Sequence, residues 1–173
     1  MAQRTAFGQS SPFIRGFTGF RTLALIDGIR LNHSVFRDGP NQYWSTVDVL
    51  GIDRLELVRG PASVLYGSDA VGGTVQGFTR GPQSRSGETS AGGYLRGDTA
   101  RNGYTVHADG SYVSPQGSGF YADATASGYG ELHLGGSQGR QPHTGFEEFG
   151  AAAKNEWVLT PSTLLVLAHQ SFR

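Results

Sequence analysis

The chain contains no cysteine. That excludes a disulfide framework, a thiolate zinc site and a thiol nucleophile. It has no surplus of either charge: 14 Lys and Arg balance 14 Asp and Glu, for a formal net charge of zero. With no long basic run, nothing supports binding to a nucleic-acid backbone. No apolar stretch approaches the ~20 residues of a membrane-spanning helix. The first residues show neither the charged nor the apolar segment of a secretory signal. Glycine, by contrast, is abundant, with 27 of 173 residues, about twice its usual ~7% share.

Many of those glycines punctuate the first half as turns. Asp27-Gly28 lies between two short apolar runs, Leu23 to Ile26 and Ile29 to Leu31. That is a hairpin signal, because both positions of a tight two-residue turn need positive φ. Arg54 to Arg59 alternates, with Leu55 and Leu57 on one face and Glu56 and Val58 on the other. Gly60-Pro61 stops that strand. A short helix is expected over Ala62 to Tyr66, with Pro61 at its first position and Gly67 at its end. Gly72-Gly73 permits tight backbone before a last strand, Thr74 to Thr79. Together these make a small α+β unit.

From Ala91 the pattern changes to alternation with period two. In the clearest segment, Tyr104, Val106, Ala108, Gly110 and Tyr112 share one face, and Thr105, His107, Asp109 and Ser111 the other. An apolar outer face and a polar inner face mark a transmembrane barrel strand. The two tyrosines stand ~26 Å apart along the strand. At a ~40° tilt that is ~20 Å of height, close to the apolar band between aromatic girdles. Phe120 to Leu134 and Phe146 to Leu159 repeat the pattern, the latter with Glu148, Lys154 and Glu156 on the inner face. In the segment Thr163 to Phe172, Leu165 and Leu167 blur the alternation, and Ala91 to Asp98 alternates least. Short periplasmic turns and longer outer loops put Ser114–Gly119 and Thr160–Ser162 in the periplasm, and Thr99–Gly103 and Gly135–Gly145 outside. A soluble β-sandwich also alternates and is the competing architecture.

The ordered set Ile14-Arg15-Gly16, Leu23 to Leu31 around Asp27-Gly28, Arg54-Leu55-Glu56-Leu57-Val58-Arg59-Gly60-Pro61 and Tyr66-Gly67-Ser68-Asp69-Ala70-Val71-Gly72-Gly73 resembles the plug domain of TonB-dependent outer-membrane receptors. Each motif is weak by itself; their order and spacing carry the resemblance over nearly the whole first half. It implies an α+β plug domain over residues 1–82. The first five or so strands of an antiparallel transmembrane β-barrel, incomplete here, would occupy 83–173. Five strands cannot enclose such a plug, since plugged barrels use about 22, so the chain is read as a piece of a longer receptor. The segment that couples to TonB is not found before Phe13.

The resemblance further implies a bacterial outer-membrane location and no covalent chemistry. Its partners would be a scarce nutrient chelate such as a ferric siderophore, the TonB energy-coupling protein and outer-membrane lipid. No cofactor, catalytic residue or bound metal is expected. The irregular stretch from Asn32 to Thr46 follows the hairpin and would form an apical loop. Its ligand-facing candidates are Asn32, His33, Arg37, Asp38, Asn41, Tyr43 and Trp44. Arg37 suits bidentate pairing with an anionic chelate, and Tyr43 and Trp44 suit aromatic contact. Alternatively, Phe36 and Trp44 tuck into the plug core. Arg15, Glu56 and Arg59 would contact the inner barrel wall.

Other functions fit poorly. The five histidines are scattered without ligand spacing. Gly135-Gly136-Ser137-Gln138-Gly139 matches the Gly-x-Ser-x-Gly pattern, but a nucleophile elbow needs a helix after it, and the Gly- and Pro-containing run that follows cannot open one. No phosphate-binding Gly-x₄-Gly-Lys is present. A secreted β-rich binding or adhesion module without transport activity is the alternative reading.

Overall fold

The computed structural model describes residues 2–6, 9–31, 44–83, 86–99, 101–133, 135 and 139–173. The chain divides into two compact units, Met1–Thr79 and Arg80–Arg173.

The first unit holds two sheets. Strands β1 (Ala2–Ala6) and β2 (Gln9–Pro12) form an antiparallel pair. The larger sheet combines β3 (Thr22–Ile26), β4 (Ile29–Arg30), β5 (Ile52–Arg59) and β6 (Gly73–Thr79), in the order β4-β3-β6-β5. β3 runs parallel to β6, and the other pairs are antiparallel. The parallel pair is central, and all five residues of β3 are buried, as expected of a strand covered on both faces. Leu23, Leu25, Ala62 and Ala70 form its core, with Tyr66 packed alongside.

The turns behave as their residues dictate. Asp27 (φ 48°) and Gly28 (φ 80°) make the two-residue turn between β3 and β4, with Ile26 opposite Ile29. Arg15 (φ 51°) and Gly16 (φ 83°) make a second such turn, closed by reciprocal backbone bonds between Ile14 and Phe17 at 3.0 and 2.9 Å.

One local expectation needs correction here. The helix α1 covers only Ser63–Tyr66, and Ala62 caps it with φ −125°, so Pro61 lies before the helix rather than at its first position. The alternation of β5 does not sort it into a buried and an exposed face. Leu55, Leu57 and Val58 are all exposed, because β5 is the edge strand of its sheet and carries no packed layer within this unit.

The second unit is an antiparallel meander: β7 (Thr89–Asp98), β8 (Gly103–Val113), β9 (Gly119–Tyr129), β12 (Phe146–Thr160) and β13 (Thr163–Phe172), in the order β13-β12-β9-β8-β7. The weakly alternating Ala91 to Asp98 is therefore a full strand. The segment Phe120 to Leu134 is not one strand: β9 stops at Tyr129. The Gly130 N–H bonds the Arg101 carbonyl at 2.8 Å, and a Cβ on Gly130 would meet that oxygen at 2.6 Å. The chain leaves the sheet there and forms a small hairpin of β10 (Leu132–His133) and β11 (Arg140–Gln141). Strand β11, rather than a helix, follows the Gly-x-Ser-x-Gly match; Ser137 itself lies outside the described residues.

Candidate functional site

In the first unit, the hairpin that leads toward the expected ligand loop is fastened at both ends. The Asp27 carboxylate accepts the Thr79 backbone N–H at 2.9 Å and the Thr79 hydroxyl, tying the turn to the end of β6. The Asp27 N–H in turn bonds the Gly77 carbonyl at 2.9 Å. Arg30, at the far side of the hairpin, grips the end of α1. Its Nη1 lies 3.0 Å from Asp69 Oδ2 and its Nη2 donates to the Tyr66 carbonyl at 2.8 Å. Gly67 (φ 90°) makes this possible, because a Cβ there would stand 2.8 Å from Arg30 Nη2. Tyr66-Gly67-Ser68-Asp69 is thus a docking point for Arg30. Sequence reading gave Arg30 no role, since a charge pair 39 positions apart leaves no periodic trace.

Of the ligand candidates, Asn32, His33, Arg37, Asp38, Asn41 and Tyr43 lie outside the described residues. Trp44 is described. It opens a short 3₁₀ turn, Trp44–Thr46, and is half-buried, with its ring 3.8 Å from where a Cβ on Gly77 would sit. It therefore stands over the plug sheet beside the hairpin base.

Arg15 and Arg59 come together. Both line a recess of about 230 Å³ with Phe13, Ile14 and Leu57. Glu56 points to the other face of β5, where its carboxylate pairs with Arg54 Nε at 3.1 Å. Gly72 and Gly73 shape this end: a Cβ on Gly72 would collide with the Phe17 side chain, and one on Gly73 would reach Ile14 Cδ1 at 2.9 Å.

In the second unit the deciding feature is which face is wet. Thr105, His107, Ser111, Tyr121, Asp123, Thr125 and Ser127 share one face of β8 and β9, and all are buried. On the opposite face Tyr104, Val106, Tyr112 and Phe120 are 44–49% exposed. Phe149, Leu164 and Val166 are exposed as well. A water-soluble sandwich buries its apolar face; this sheet does the reverse, which suits a lipid surround. Tyr112 stands opposite Phe120, and Trp157 lies two residues beyond Phe120's partner Asn155, so one end of the sheet carries an aromatic row. Glu148, Lys154 and Glu156 are half-buried on the polar parity, and a Cβ on Gly81 would touch both Lys154 and Glu156.

Residues 1–74 match the family described as TonB-dependent Receptor Plug Domain. That match covers the first unit of the chain only. Over 78 residues it is 37% identical to a vitamin B12 transporter, BtuB, of Vibrio vulnificus (strain CMCP6); this covers 45% of the chain and 12% of that protein. Among solved structures, the copper transporter OprC superposes with a TM-score of 0.75 at 18% identity, covering 98% of this chain and 25% of that one. The pyoverdine receptor FpvA of Pseudomonas aeruginosa PAO1 gives 0.71 at 18% identity, covering 97% and 22%. The siderophore receptor PiuA of Acinetobacter baumannii gives 0.69 at 22% identity, covering 94% and 20%. These structures share the fold, a plug followed by antiparallel barrel strands. The chain thus spans about an eighth of the transporter it matches and a quarter or less of these solved receptors. TonB-dependent receptors are outer-membrane proteins. At the level of the family they take up nutrients and are not enzymes.

Proposed function

We propose that the chain supplies the plug and the opening barrel strands of a receptor that imports a ferric siderophore or similar metal chelate into the periplasm with TonB-transmitted energy. In this reading residues 1–82 are the plug and 83–173 the first five strands. The observation that carries it is the inverted sheet, apolar outside and polar inside, following a plug sheet whose hairpin is anchored by Asp27 and Arg30. Such an anchored hairpin gives the following loop a rigid base, the arrangement in which loops carry binding residues.

Asn32, His33, Arg37, Asp38, Asn41, Tyr43 and Trp44 are assigned to the ligand. Arg37 meets the anionic chelate, and Tyr43 and Trp44 its aromatic or apolar parts. Arg15, Glu56 and Arg59 are assigned to the inner wall of the closed receptor.

The test is uptake of radiolabelled ferric siderophores by iron-starved cells carrying the intact receptor, with cobalamin as comparison. Arg37→Ala is expected to weaken ligand binding by about tenfold, as loss of one charge-assisted bond of ~1.5 kcal/mol would. Unchanged affinity removes Arg37 from the site. Uptake of cobalamin alone replaces the chelate reading, and uptake of neither ends the transport reading.

A further inference from the structure

Two features of the first unit lie at opposite ends of one short segment, residues 66–73. At one end Arg30 of β4 grips the turn after α1, through the Asp69 carboxylate at 3.0 Å and the Tyr66 carbonyl at 2.8 Å. At the other end Gly72 and Gly73 pack against Phe17 and Ile14, which flank Arg15.

The Arg30 end has a fixed geometry. A planar guanidinium meets a carboxylate and a carbonyl together, which the point charge of an ammonium does less well. The Ser68 hydroxyl donates to the other Asp69 oxygen at 3.3 Å. β4 is a two-residue edge strand with both residues exposed, so this grip reinforces a short ladder. The middle of the segment is fixed in the core. Ala70 is fully buried, and its carbonyl accepts the Ala62 N–H at 2.9 Å and the Ser63 hydroxyl at 3.3 Å.

The far end has no slack. The Gly72 N–H donates to the Arg21 carbonyl at 2.7 Å, and the Gly72 carbonyl accepts the Gly60 N–H at 3.1 Å. A Cβ on Gly72 would collide with Phe17 Cβ, and one on Gly73 would stand 2.9 Å from Ile14 Cδ1. Gly60 follows Arg59, and Ile14 and Phe17 close the turn that holds Arg15. A shift of Gly72 therefore reaches both arginines of the recess, because close-packed contacts transmit displacement.

We propose that residues 66–73 act as a strut between the hairpin and the recess. Whether Arg30 holds or releases Asp69 sets how Arg15 and Arg59 stand. Hairpin and recess are then coupled, and linkage makes the coupling equal in both directions. That an imported molecule moves the hairpin rests on the function proposed above; the strut itself does not. Asp27 ties the same hairpin to Thr79 of β6, away from the strut, and so supplies a control.

The test is the rate at which a soluble maleimide labels Leu57→Cys, at a position lining the recess, in the intact receptor in detergent. The chain itself contributes no other thiol. Arg30→Ala and Asp69→Asn are expected to raise the rate by ~2–30-fold, the span of mutational effects on coupling between sites. Arg30→Lys, which keeps the charge opposite Asp69, falls between. Asp27→Ala labels as the wild type does. A saturating ferric tris-catecholate, ferric tris-hydroxamate or cobalamin, whichever the receptor takes up, changes the rate in the wild type but not in Arg30→Ala. A wild-type rate in Arg30→Ala overturns the strut, as does an equal rise in Asp27→Ala, which means general loosening of the plug. An equal response to the probe in Arg30→Ala also overturns it. The expected variant rates without uptake of any of the three probes keep the strut and remove the transport reading.

Discussion

Asp27 shows how much one side chain can carry. It occupies a left-handed turn position that Asp tolerates better than most residues, and its carboxylate also holds Thr79 at the end of β6. Alanine loses both functions. Asp27→Ala is expected to destabilise the plug sheet by about 2 kcal/mol, the scale for hydrogen bonds to a charged group. Asp27→Asn should fall between, since it keeps the turn preference and an acceptor. Urea unfolding followed by Trp44 fluorescence, in a Trp157→Phe background, separates these outcomes. Equal midpoints for wild type and alanine variant would show that the turn holds without the Thr79 bonds. At this scale the sequence announced the turn but not the tether, because Thr79 stands 52 positions away.

Among the elements, β8 is the one whose two faces differ most clearly. Ala108 lies near its middle on the exposed apolar face, between Val106 and Tyr112. A lysine placed there meets the lipid midplane if the sheet spans the membrane. Ala108→Lys is then expected to cost ~2–4 kcal/mol of folding stability in bilayers, measured by refolding into lipid vesicles. In a water-soluble sheet the same change on an exposed position would be nearly neutral, so the measurement distinguishes the two surroundings. The alternation of β8 and β9 was plain in the sequence. That of β5 marked a strand with two faces, as found, but alternation does not report whether a layer covers either one. The break at Gly130 was also hidden: the close approach of the Arg101 carbonyl, not glycine itself, ends β9.

For the whole chain, the sheet of the second unit ends in two open edges, β7 and β13. Leu164, Leu165, Val166 and Leu167 of β13 are all 47–62% exposed. Unpaired backbone groups at a sheet edge cost several kcal/mol each in lipid, and in water an apolar edge strand recruits other chains. Expressed alone, the chain is expected to aggregate or to require detergent, and to transport nothing. Size-exclusion chromatography and light scattering check this. A monodisperse, cooperatively unfolding monomer without detergent would contradict the membrane reading of β13.

The order of the glycine turns and the period-two segments determined the plug-like layout of the first unit, the hairpin at Asp27-Gly28 and the two unlike faces of the strands in the second, since these depend on local backbone conformation and strand parity. Tertiary structure alone decided that Arg30 docks on the end of α1, that Arg15 and Arg59 share a recess while Glu56 turns away, and that Asp109 faces Asp123 beside His107. Each of these arises where strand register brings together residues far apart along the chain, and register is set by pairing between strands, which no single segment encodes.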